Sequence, residues 1–112
     1  MKYLKDYVDG TFRLKSFPNS NVIRYNYNQG ILIVEGSYAE IYANKIDANI
    51  KANIAIGGEL SGKTKVKWNQ IENSKSEGIF CIETEEKLAI EENTINNNYY
   101  GMVLIDAKGT IK

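Results

Sequence analysis

Two stretches of this chain spell nucleotide chemistry. Gly57-Gly58-Glu59-Leu60-Ser61-Gly62-Lys63-Thr64 matches the Walker A pattern, and Met102-Val103-Leu104-Ile105-Asp106 has the form of a Walker B strand ending on its acidic residue. A phosphate loop works by opening a helix whose first amides face phosphate while the lysine reaches the terminal groups. The segment that would have to be that helix, residues 65–74, aligns instead with two other stretches of the chain as strand and bend. A nucleotide-binding sheet also needs several βαβ units, for which 112 residues arranged in this way leave no room. The expectation is a turn that happens to carry the motif, with no cofactor at Lys63. Glu35, Glu83 and Asp106 fall in a loose acidic column that Gly58 interrupts, with Glu85 and Glu86 beside it. Calcium takes about six to eight oxygens from a defined pocket, and no spacing singles out a pair of carboxylates for glycoside hydrolysis. A solvated acidic edge is the expectation, with no metal site. Cys81 is the only cysteine, and histidine is absent, which removes the commonest general base and the usual activator of a thiol. No residue is assigned a catalytic, cofactor-binding or metal-binding role.

Composition narrows the partners. Fourteen basic and fourteen acidic residues are interspersed, giving zero formal charge, so the basic stripe that nucleic acid requires is missing. No apolar run is long enough to cross a bilayer, and the first residues, Met1-Lys2-Tyr3-Leu4-Lys5-Asp6, lack the apolar stretch of a secretory signal. A single cysteine precludes an intramolecular disulfide and suits a reducing compartment. The expected setting is intracellular and cytoplasmic, including a cytoskeleton-associated assembly.

The chain repeats. Asn21, Asn44, Asn69 and Asn93 lead four similar stretches and are separated by 23, 25 and 24 positions. Aligned behind them are the columns Ile23/Ile46/Ile71/Ile95, Gly30/Asn53/Gly78/Gly101, Ile31/Ile54/Ile79/Met102 and Ile33/Ile56/Cys81/Leu104. Residues two apart share one face of a strand, so the apolar columns point inward together. Gly and Asn tolerate a left-handed backbone, and their column predicts a repeated tight turn. The leading asparagines predict a ladder at a bend, each amide bonding the turns above and below, which requires parallel stacking at about 4.8 Å. Arg24, Asp47 and Glu72 share an outward column in which opposite charges support the register. The fold class that follows is all-β: a single-stranded parallel β-helix of about four rungs.

The motif Asn-x-Ile-x-x-Asn-x-x-x-Gly-Ile-x-Ile resembles the right-handed parallel β-helix repeat of the pectate-lyase-like superfamily. It is most similar to the Asn-rich β-helix regions of F-box and SHC-binding proteins. The resemblance covers roughly residues 18–112 and implies either polysaccharide work outside cells or protein recognition inside them. Four rungs are far fewer than such proteins usually carry.

Residues 1–16 fall outside the register. The spacing of Tyr3, Leu4, Tyr7 and Val8 suits one or two turns of helix, so a short N-terminal helical cap or arm is expected over 1–16, with the repeats over 17–112. Thr84–Glu92 reads as a helix on propensity, but the register makes it a turn and a strand. Gly109-Thr110-Ile111 matches the entry to a new rung, so the expectation is either end-to-end stacking of another chain on the C-terminal rung or a longer protein of which this is a part.

Between the inward columns lies a further one, Leu32/Ala55/Phe80/Val103, which alternation turns outward. Tyr27, Ile50 and Tyr99 lie in the turn before the same strand. An exposed apolar stripe with aromatic neighbours marks a contact surface unless the chain covers it with its own N-terminal segment. Leu32, Phe80, Val103, Tyr27 and Tyr99 are therefore the candidate partner-binding residues of a non-catalytic protein-interaction module. A carbohydrate-binding or polysaccharide-degrading β-helix fragment remains the alternative.

Overall fold

Short runs of alternating Ile and Val with polar residues form strands too brief to bury anything alone, so they must stack. The computed structural model describes residues 3–8, 11–16 and 21–112. In chain order its strands are β1 (Tyr3–Val8), β2 (Thr11–Ser16), β3 (Val22–Arg24), β4 (Ile31–Ile33), β5 (Tyr38–Tyr42), β6 (Lys45–Asp47), β7 (Ile54–Gly57), β8 (Thr64–Lys67), β9 (Gln70–Glu72), β10 (Glu77–Glu91), β11 (Thr94–Asn96) and β12 (Tyr100–Ile111).

These strands wind around three faces. Face one stacks β2, β5, β8 and the later halves of β10 and β12; face two stacks β3, β6, β9 and β11; face three stacks β4, β7 and the earlier halves of β10 and β12. Every pairing within the rungs is parallel and in the register read from the sequence: Ile23 against Ile46, Ile46 against Ile71, Ile71 against Ile95, and Ile54 against Ile79. The inward columns enclose one core in which Ile41, Ile46, Ile54, Ile56, Val66, Ile71, Ile79, Leu88 and Ile90 are buried. Each such side chain contributes about 1.5–3 kcal/mol by leaving water.

Two bends are built alike. At the corner between faces one and two, Asn21 Nδ2 donates to Asn44 Oδ1 at 3.0 Å, Asn44 Nδ2 to Asn69 Oδ1 at 3.2 Å, and Asn69 Nδ2 to Asn93 Oδ1 at 3.1 Å. The same oxygens accept the backbone N–H of Asn44 and Asn69, at 2.8 and 2.9 Å. The corner between faces two and three carries a second ladder, Asn26, Asn49, Ser74 and Asn98, begun by Asn26 Nδ2 donating to Asn49 Oδ1 at 2.9 Å. The residue just before a ladder position turns the chain: Ala43, Trp68 and Glu92 at the first corner, and Tyr25, Ala48, Asn73 and Asn97 at the second, all have φ between 53° and 60°. A left-handed backbone at a non-glycine residue costs about 1–2 kcal/mol, and the ladder bonds that follow it hold it in place.

That placement corrects the reading of the glycine column. Gly30, Asn53, Gly78 and Gly101 do not have positive φ; the left-handed positions lie elsewhere. At Gly30 and Gly78 glycine is needed for close approach. A Cβ on Gly30 would stand 2.6 Å from the Asn53 carbonyl oxygen and 2.7 Å from Asn49 Nδ2, and one on Gly78 would stand 2.7 Å from both the Gly101 carbonyl oxygen and Asn98 Nδ2. The ladder amides of the second corner fill the space that a side chain would occupy.

Three further expectations meet the structure here. The N-terminal helical cap is not what forms: β1 and β2 make an antiparallel hairpin, and β2 pairs in parallel with β5, extending the sheet of face one. A spacing of three and four is compatible with a helix, but an open sheet edge beside β5 offers backbone partners that a helix would leave unused. The boundary drawn between residues 16 and 17 abuts residues 17–20, which lie outside the described residues. Lys63 is followed directly by β8 and not by a helix, and the Thr64 hydroxyl, fully buried, accepts the N–H of Ala39 at 3.2 Å. The phosphate-loop motif is thus a bend between faces three and one. Thr84–Glu91 likewise continues as strand within β10, with bulges at Glu83 and Glu85 where φ is positive.

Asp47 carries the outward ion pair of face two. Its Oδ2 accepts from Arg24 Nη2 at 2.7 Å and its Oδ1 from Asn73 Nδ2 at 2.8 Å. Burial pushes its carboxyl up, but the hydrogen bonds from Asn73 and Arg24 and the nearby charges of Arg24 and Lys45 outweigh it, so the group lies below the usual carboxylate value. A depressed folded value means the charged form stabilises the fold above pH of about 3.9 and that this contribution is lost as pH falls further. Urea midpoints measured between pH 7 and pH 2 should show a shallower acid limb below pH 4 in Asp47→Asn than in the wild type.

Candidate functional site

The three outer faces differ in kind. Faces one and two are laced with charge: Glu40 faces Lys65 at 3.9 Å, Lys67 faces Glu91 at 3.2 Å, Lys112 reaches Glu91 at 3.7 Å, and Lys45 reaches Glu72 at 3.8 Å. Face three carries no charge in its two central outward columns. The first is Leu32/Ala55/Phe80/Val103, held in register by the pairings of β4, β7, β10 and β12. Leu32 is 55 % exposed, Phe80 and Val103 are half-buried, and Ala55 is buried between its larger neighbours. The second runs parallel to it, two positions on: Val34, Gly57, Ile82 and Ile105, with Val34 52 % and Ile105 45 % exposed. Gly57 keeps this column flat, since a Cβ there would press on Ile82 Cγ2 at 3.0 Å.

Aromatic side chains flank the face at the second corner. Tyr27 is 84 % exposed and Tyr99 74 %, and Tyr99 packs edge-on against Tyr100 with ring centres 4.8 Å apart. Tyr27 and Tyr99 are not brought together. They stand in the first and last rungs of one corner, with Ile50 and Lys75 between them, as the backbone bonds Ile50 N to Asn26 O, Lys75 N to Asn49 O and Tyr99 N to Ser74 O require.

The opposite flank is acidic. Glu35, Glu59, Glu83, Glu85 and Asp106 are exposed where the chain leaves face three, and none has an ion-pair partner among the described residues. The lysines of this bend, Lys63, Lys87 and Lys108, follow further along, nearer face one; Lys87 Nζ is spent on the carbonyl oxygen of Leu60 at 2.7 Å. All length variation between full rungs falls here. Seven positions separate Ile33 from Glu40, nine separate Ile56 from Lys65, and eight separate Cys81 from Ala89. Among the described residues no cluster of three or more potential ligands could hold a metal ion. Cys81 lies in the core, where burial pushes its thiol up to about 12, far from the thiolate that nucleophilic chemistry needs.

Sequence reading found the Leu32 column and the flanking tyrosines, but it missed the Val34/Ile82/Ile105 column. The signal was there, two positions after the first. Glycine at position 57 breaks the apolar pattern. Trp68 both packs and is exposed: the residue is 59 % exposed, while its ring meets Tyr42 edge-on at 5.7 Å and has Lys67 Nζ 5.9 Å from its centre.

A three-faced stack of parallel strands with Asn-lined corners defines a class, and comparison with known proteins agrees. The family model described as right handed beta helix region matches residues 8–112, so the chain belongs to the right-handed β-helix family. No curated protein and no solved structure matches the chain significantly. Among the described residues no helix is long and apolar enough to cross a membrane.

Proposed function

We propose that this β-helix is a non-catalytic protein-interaction module, a scaffold element of an intracellular assembly, and that face three is its contact surface. The observation that carries the reading is the double apolar column, Leu32/Ala55/Phe80/Val103 beside Val34/Gly57/Ile82/Ile105, on a molecule whose other outer faces are charge-paired. An uncharged sheet face of this kind is a liability in water unless a partner covers it. Tyr27 and Tyr99 extend it with side chains typical of interface anchors. The resemblance to the Asn-rich β-helix regions of F-box and SHC-binding proteins supports the intracellular setting.

Cross-linking the wild-type chain in extracts of its native cells should give linked peptides concentrated on face three. The double variant Phe80→Ser/Val103→Ser, whose circular dichroism should remain that of a β-helix, should lose those links. Retention of the same partners by a folded double variant, or links confined to faces one and two, would reject the reading. A second reading, carbohydrate binding, has the exposed Trp68 ring against Tyr42 in its favour. Glycan-array binding that is lost in Trp68→Ala or in Tyr27→Ala/Tyr99→Ala would select it.

A further inference from the structure

Resting on the reading of face three as a contact surface, we infer that its occupant is an amphipathic helix laid along the axis of the stack, apolar toward the two columns and basic along the flank that meets Glu35, Glu59, Glu83 and Asp106. Three features select that occupant. Face three is the face of a sheet, its backbone groups engaged in the pairings of β4, β7, β10 and β12, so strand addition is not available there and side chains must make the contact. Glu35, Glu83 and Asp106 share one register position, which Gly58 holds in the second rung with Glu59 one residue on, so the acidic flank follows the stack at the rung spacing of about 4.8 Å with one offset member. A helix presents one side chain per turn on a given flank at about 5.4 Å intervals, close to that repeat, whereas one face of an extended strand repeats at about 6.6 Å.

Size agrees. Four rungs span about 14 Å, which is the length of roughly ten helical residues. Charge complementarity then fixes the direction of the polar flank. Glu40 is matched by Lys65, Asp47 by Arg24, Glu72 by Lys45 and Glu91 by Lys67, while Glu35, Glu59, Glu83 and Asp106 beside face three have no ion-pair partner among the described residues and are open to an incoming cation. Such a rim steers and orients a basic partner more than it adds affinity.

The test uses the full 112-residue chain and three synthetic 14-residue helical peptides with the same leucine stripe: lysines on one flank, lysines on the opposite flank, and glutamates on both. Binding by fluorescence anisotropy should favour a lysine peptide over the glutamate peptide by about tenfold, the combined worth of three or four exposed ion pairs. That preference should shrink several-fold between 50 and 300 mM salt, and Glu35→Lys/Glu83→Lys/Asp106→Lys should reverse it. Equal binding of lysine and glutamate peptides, or no binding of any peptide at millimolar concentration, overturns the basic-helix inference while leaving the cross-linking result on face three to decide the broader reading. Lysine-peptide binding that survives in the folded Phe80→Ser/Val103→Ser variant would be plain charge attraction and overturns it as well.

Discussion

Replacing Asn69 with leucine, a side chain of similar volume, is expected to lower stability by about 3 kcal/mol, a large share of what a domain of this size has. Asn69 occupies the middle of the first ladder, 2 % exposed. Its Oδ1 accepts the N–H of Asn44 at 2.8 Å, and its Nδ2 donates to the carbonyl oxygen of Ile41 at 2.9 Å and to Asn93 Oδ1 at 3.1 Å. Leucine fills the volume but strands a buried donor on Asn44 and takes a donor from Ile41. Each buried polar group left unpaired costs about 1–3 kcal/mol. The same change at the exposed Asn96 should shift stability by less than about 0.5 kcal/mol. Urea denaturation of both variants provides the comparison; a loss at position 69 no greater than at 96 would mean that the ladder decorates the corner without holding it.

The second ladder makes a sharper case. Its third position is Ser74, too short to span the gap between Asn49 and Asn98. The missing amide comes from Asn53, in the column that otherwise holds glycine: its Oδ1 accepts from Asn49 Nδ2 at 2.7 Å, and its Nδ2 donates to Asn98 Oδ1 at 3.1 Å and to the Glu72 carbonyl oxygen at 2.9 Å. Ser74 in turn donates to the carbonyl oxygen of Lys51 at 2.8 Å. Asn53→Gly should remove this bridge and leave a void, at about 2–3 kcal/mol. Ser74→Asn should crowd the Asn53 side chain, at about 1–3 kcal/mol. Together they recreate the Asn-and-Gly arrangement of the first rung, so the double variant should recover most of the loss, with a coupling of about 3 kcal/mol. Simple additivity of the two losses would show that the two positions do not trade places.

What the sequence made legible follows from repetition. Ile46 and Ile71 could be placed in contact because identical side chains recurred at one spacing in four stretches, and stacking is the only arrangement that brings such columns together. The first ladder was readable because all four of its members are asparagine. The second was not, because Ser74 interrupts it and Asn53 completes it from another column. The glycine column was found but assigned the wrong cause: composition cannot separate a backbone that turns left from one that is simply crowded. Residues 3–16 were misread because a short amphipathic spacing fits a helix as well as a strand, and the deciding partner, β5, lies more than twenty residues along the chain. On face three, one outward column was visible and its twin was hidden by Gly57.

Full rungs whose length differs only in the bend between faces three and one have a consequence for remodelling the chain. A whole turn, such as 44–68, copied in tandem should behave as a cassette and lengthen the coil by one storey, since each storey meets only those directly above and below it. A single-residue deletion inside β6 or β9 would turn that strand's isoleucine to the solvent. Loops grafted after Glu35, Glu59 or Glu85 should be tolerated, and they would project beside the uncharged face, where a designer wishing to lend this small coil a new specificity would want them.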